Sequence, residues 1–131
     1  MDNVQQDRPL RILIMAAEAV PLAKTGEVAD VISGLAKALH RLGHDVRVAM
    51  PRYSHIDIHR FGLRPLVPSF AVPMDSHFEP AAVQCGMLGE AVPVYLIDSP
   101  RYFGAGTVSL YAEDGEQFVY FGRAVLEMLK R

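Results

Sequence analysis

The clearest hydrophobic pattern opens the chain. Leu10 to Ala17 is a nearly continuous apolar run, broken only by Arg11, and suits a strand covered on both faces in a parallel sheet. The polar residues 1–8 before it read as a flexible leader. A loop from Glu18 to Glu27 follows. Val28, Val31, Ile32, Leu35, Leu39 and Leu42 then recur at helical spacing, with Gly43 just beyond as a C-terminal stop. Asp45 to Pro51 predicts a second strand. Strand, loop, helix, turn and strand in this order make a βαβ unit, expected with a right-handed crossover, that begins a doubly wound sheet.

The middle of the chain changes pattern. Leu66–Pro73, Ala81–Leu88 and Val92–Ile97 read as short strands divided by proline and glycine. The first two are expected to pair antiparallel, with Gly86, Gly89 and Pro93 at turns. Ser99 to Glu113 reads as a surface loop. Asp114 and Gln117 are spaced to form a capping box for a last helix, whose apolar face would hold Phe118, Phe121, Val125, Leu126 and Leu129. The fold class is α/β: a Rossmann-like doubly wound sheet with an antiparallel hairpin insertion, a single unit over residues 9–131.

Composition narrows the function. Half of the 131 residues are hydrophobic and 21% are charged, which favours a packed core over disorder. The net charge of −2, with no basic run, argues against nucleic acid as a partner. No apolar stretch is long enough to span a bilayer, and none has the form of a signal peptide. The one cysteine, Cys85, cannot form an internal disulfide or a cysteine metal cluster, and its flanks suggest a buried thiol. A cytoplasmic location is expected.

Candidate chemistry concentrates in the first loop, because open α/β sheets bind ligands at the carboxyl ends of their parallel strands. Lys24, Thr25 and Gly26 lead into a helix N-terminus, where free backbone N–H groups favour an anion, phosphate above all. A solvated turn is the plain alternative. Neither a G-x-G-x-x-G nor a G-x-x-x-x-G-K-[ST] pattern is present. His55 and His59, four apart, read as loop histidines rather than metal ligands. Tyr102, Phe103 and Tyr111 read as loop anchors rather than a sugar-stacking surface.

Arg11 to Val31, with Lys24-Thr25-Gly26-Glu27-Val28-Ala29-Asp30-Val31 at its end, resembles the opening of bacterial glycogen synthases and plant starch synthases. In that family the loop reads Lys-Thr-Gly-Gly-Leu-Ala-Asp-Val or Lys-Val-Gly-Gly-Leu. The resemblance continues through Gly34–Leu39, Gly43–Val48, Pro51-Arg52-Tyr53, Tyr95–Phe103 and Phe118–Glu127. It implies part of the N-terminal domain of a GT-B glycosyltransferase of family 5. Such an enzyme transfers glucose from ADP-glucose, sometimes UDP-glucose, to the non-reducing end of an α-1,4-glucan, with retention and without an essential metal or other cofactor.

By the same resemblance Lys24 would contact the sugar nucleotide, Gly26 would bring backbone to the phosphates, and Asp30 matches the Asp of the pattern. From the residues alone, Asp30 is equally a carboxylate favouring the helix dipole. The family's second domain and its later His segment would have to come from outside these residues, and the 131-residue chain by itself is not expected to catalyse transfer. One position departs from the pattern: Glu27 stands where the family has glycine. Two like charges about 5 Å apart cost roughly 3 kcal/mol at an effective dielectric of about 20, on the order of a hundredfold in affinity unless the side chain turns to solvent. A positive φ at Glu27 would add strain. The alternative function is therefore a stand-alone, non-catalytic binding or regulatory module.

Overall fold

The computed structural model describes residues 8–24, 26–103 and 115–131. Its strands are β1 (Arg11–Met15), β2 (Asp45–Pro51), β3 (Arg64–Pro73), β4 (Phe78–Leu88) and β5 (Val92–Asp98). Its helices are α1 (Val28–Arg41), α2 (Pro100–Phe103) and α3 (Glu116–Met128). The strands form one sheet in the order β1-β2-β5-β4-β3. β1, β2 and β5 run parallel, while β4 is antiparallel to both β5 and β3. The expected βαβ unit and the inserted antiparallel hairpin are both present.

Several local expectations are corrected. Among the described residues β1 has β2 as its one neighbouring strand, and Ile12, Leu13 and Ile14 are only partly buried rather than covered on both sides. Gly86 lies inside β4, paired with Val94, and Pro93 lies inside β5. Of the three residues expected at turns, only Gly89 sits in one, at φ +67. A Cβ at Gly86 would stand 2.6 Å from Leu63 Cδ2, so the glycine marks a close approach rather than a bend. The chain reverses between β3 and β4 at residues 74–77, where Met74 N–H donates to the His77 carbonyl at 2.8 Å.

Within the stretch expected as a surface loop, residues 100–103 instead form α2, and Tyr102 and Phe103 are buried. Tyr102 stacks on Tyr120 with ring centroids 4.5 Å apart, and Phe103 packs edge-on against Tyr53. Both rings anchor the core, as expected; Tyr111 lies outside the described residues. α3 begins from Gly115 without a side-chain cap. Asp114 is outside the described residues, and the Gln117 side chain donates to the Tyr102 carbonyl at 3.0 Å instead of closing a capping box.

Both long helices bury only part of the face expected of them: Phe121 and Val125 of α3 are buried, and Ile32 and Leu39 of α1 pack partly buried against the core. α1 buries Ala29, Ser33 and Ala36, small residues that let it lie close to the sheet, while Val28, Val31, Leu35 and Leu42 are exposed. α3 buries Gln117, Tyr120, Phe121, Ala124, Val125 and Met128, and exposes Phe118, Leu126 and Leu129. Gly43 ends α1 as expected, at φ +97. Its N–H bonds the His40 carbonyl at 2.9 Å and the His44 N–H bonds that of Leu39 at 3.3 Å, a Schellman closure. The core runs through β2 and β5, where Val46, Val48, Met50, Val94, Leu96 and Ile97 are buried.

Candidate functional site

The carboxyl ends of β1, β2 and β5 define one edge of the sheet. Because Ala82 pairs with Asp98 and Leu88 with Val92, the beginning of β4 overhangs that same edge. The edge therefore gathers the loop after β1, the segment after β2, helix α2 and the tip of the β3–β4 hairpin.

The loop after β1 is held at many points. Ala16 N–H donates to the Ala49 carbonyl at 2.9 Å, and the Tyr53 hydroxyl donates to that of Ala17 at 2.8 Å. Ser33 of α1 reaches back to the Val20 carbonyl at 3.0 Å. Ala19 and Ala23 form an isolated bridge around a cis Val20–Pro21 bond, and Leu22 and Ala23 are buried. Glu18 is buried with them. Pinning of this kind is what lets a loop present a side chain in a fixed place.

Lys24 is the side chain presented. Its ammonium meets the Asp30 carboxylate at 2.7 Å, and the two side chains are 52% and 53% exposed. Asp30 lies in the first turn of α1, so the pair straddles the helix N-terminus. Gly26 is exposed, with nothing within 4 Å of where a Cβ would stand. Thr25 lies outside the described residues. Glu27 is the N-cap residue of α1 at φ −76 and ψ −20, so the strain that a positive φ would impose is absent. A groove of about 380 Å³ opens beside the helix start, lined by Met15, Ala17, Val28, Ile32, Phe118 and Phe121 among others.

Two further charged groups share the edge. Arg52, directly after β2, faces Asp98 at the end of β5 at 3.4 Å and also reaches the Ile56 carbonyl. Glu79, largely buried at the start of β4, accepts from Arg101 at 2.6 Å and pairs with His77 at 2.9 Å. Arg101 also lies 3.7 Å from Glu116, which accepts the Tyr102 hydroxyl proton at 2.6 Å. Burial, assisted by that bond, pushes the Tyr102 pKa up to about 12. This network fastens α2 and α3 to the hairpin. Sequence reading missed it, since its members span residues 77–116 in no recognisable spacing. The only available signal was that Glu79 and Arg101 are isolated charges in largely apolar surroundings.

His55 and His59 are exposed in a region of turns rather than on one helix. His55 stacks on Tyr53 with centroids 5.9 Å apart. Asp57 between them accepts from the backbone N–H groups of Arg60 and His59, which lowers its pKa. Among the described residues, no group of three or more His, Cys, Asp or Glu could hold a metal ion. Cys85 is only partly buried, on β4.

The model for the starch synthase catalytic domain matches residues 11–131. Glycogen synthase of Moorella thermoacetica is 43% identical over 125 residues, which cover 94% of this chain and 25% of that protein. Glycogen synthase 1 of Geobacter sulfurreducens is also 43% identical, over 130 residues, covering 92% of this chain and 26% of its own length. Among solved structures, the catalytic domain of starch synthase IV from Arabidopsis thaliana, bound to ADP and acarbose, superposes with a TM-score of 0.78 at 34% identity. That match covers 93% of this chain and 25% of the other. The chain thus spans about a quarter of the length of the curated relatives it matches.

Proposed function

Because this chain belongs to the starch synthase catalytic domain family, we propose that it forms part of the N-terminal, Rossmann-like half of a retaining glucosyltransferase. The donor is ADP-glucose and the acceptor is the non-reducing end of an α-1,4-glucan. The observation carrying this reading is the position of Lys24: an ammonium on a pinned loop, at the N-terminus of α1 and the carboxyl edge of the parallel strands. That is where a diphosphate gains both from a positive side chain and from unpaired backbone N–H groups. The starch synthase IV catalytic domain, whose structure holds ADP and acarbose, supports the same substrate classes.

The chemistry asked of these residues is electrostatic. As the glucosyl bond breaks, negative charge grows on the departing diphosphate. A fixed ammonium stabilises that charge more in the transition state than in the ground state. Asp30 holds Lys24 over the helix start until the donor arrives, and the exposed Gly26 leaves room for phosphate against the backbone. On this reading the domain that closes on the donor lies outside this chain, which spans about a quarter of the length of its relatives. A cytoplasmic location belongs to the same reading.

The test is Lys24→Ala in the native polypeptide that carries this chain. Turnover with ADP-glucose is expected to fall by about 10²- to 10³-fold, with the circular dichroism spectrum unchanged. Equal turnover and equal donor affinity in the variant would refute the role of Lys24. The second reading, a non-catalytic binding module, draws on Glu27. A pulldown on immobilised glucan that retains nothing would count against it.

A further inference from the structure

The head of α1 carries more negative charge than positive. Among the described residues Lys24 is the cation paired there, and Asp30 already engages it at 2.7 Å. Glu27 adds a second carboxylate at the N-cap itself, where its carbonyl accepts the N–H groups of Asp30 and Val31, each at 3.1 Å. Its side chain is exposed and caps nothing. Among the described residues it makes no ion pair. The backbone is helical there, so a side chain at this position is unstrained, and no φ requirement calls for glycine.

We propose that Glu27 is an affinity-setting residue, which holds the binding of a nucleoside diphosphate at this loop below what Lys24 and the helix N-terminus would otherwise give. This rests on the donor-site reading above. An anion arriving at the N–H groups of α1 must take Lys24 from Asp30 and also sit near the Glu27 carboxylate. The first step exchanges one ion pair for another. The second adds repulsion with no compensating contact. The N-cap is open to solvent, so water and salt screen the repulsion. The screened effect is about tenfold in affinity at low ionic strength, less than the unscreened estimate for a 5 Å pair. Glu27 thereby raises the donor concentration needed for saturation without taking part in the transfer itself.

The experiment is calorimetric titration of ADP into the native polypeptide and its Glu27→Gln, Glu27→Gly and Lys24→Ala variants, at low and at high salt. Glu27→Gln keeps the side-chain size and removes only the charge, and it has no capping bond to lose. The expected result is that Glu27→Gln binds ADP about tenfold more tightly at low salt, that the gain shrinks at high salt, and that Lys24→Ala binds more weakly. If Glu27→Gln binds like the parent while Lys24→Ala weakens, Glu27 is inert and this inference is overturned, with the donor site left standing. Tighter binding by Glu27→Gly alone also overturns it, since bulk rather than charge would then be the cause. If Lys24→Ala leaves ADP binding unchanged, or if no form binds, the donor-site reading fails and takes this inference with it.

Discussion

Single residues differ sharply in how far the sequence announces them. Lys24 and Asp30 are six positions apart, on a loop and the first helical turn after it, so local spacing alone brings them to the same place, and they meet at 2.7 Å. Glu79 and Arg101 meet at 2.6 Å across twenty-two positions, through a hairpin and a short helix that no periodicity marks. Tyr120 belongs to the second kind. It is fully buried, its hydroxyl donates to the Pro80 carbonyl at 2.9 Å, and burial pushes its pKa up to about 12. Since the folded pKa exceeds the unfolded value of 10, the contribution of this phenol is fully present below pH 10. It is lost as pH rises towards 12, where the unfolded chain releases the proton first. Tyr120→Phe is therefore expected to lower the urea midpoint at pH 8 by an amount worth about 1 kcal/mol. The gap to the parent should narrow by pH 11, because the variant has no phenol to titrate at this site. A gap that is constant with pH would contradict the assignment.

Elements were legible where one period governed them. The 3.6-residue spacing located both long helices, and the run of Ile and Leu located β1, yet the same pattern marked only part of the faces they bury, such as Phe121 and Val125 on α3. α1 rests on Ala29, Ser33 and Ala36 because small side chains allow close packing, flanked by the partly buried Ile32 and Leu39, while Val28, Val31 and Leu35 are exposed. Gly86 shows the converse difficulty: a glycine between apolar residues looks like a turn, while its role is set by Leu63 from another segment. Gly86→Ala should force the Leu63 side chain aside and cost about 1–3 kcal/mol. In a Leu63→Ala background, which removes the obstructing methyl, the same substitution should cost less than half as much. Equal costs in the two backgrounds, measured by urea unfolding, would show that the obstruction is not the cause.

At the scale of the whole molecule, the α/β class, the parallel β1–β2 unit and the hairpin insertion followed from the alternation of patterns. The order β1-β2-β5-β4-β3 did not, because strand order depends on contacts between distant segments. Lys24 stands at one edge of this sheet, and no acid–base pair of carboxylates accompanies it in the sequence. Under the proposed function, donor closure falls to residues outside this chain, which covers 25% and 26% of the length of its relatives. The 131-residue chain alone is accordingly expected to transfer no glucose from ADP-glucose, and measurable turnover by it would overturn the assignment of half a site.

The central claim is that this chain supplies the Lys24-bearing wall of a glucan synthase's donor site. Its most direct test is the transfer of labelled glucose from ADP-glucose to glycogen by the native polypeptide, beside the same polypeptide carrying Lys24→Ala. The account predicts labelled α-1,4-linked product from the parent and about a hundredfold less from the variant. No transfer by the parent, or equal transfer by both, would contradict it.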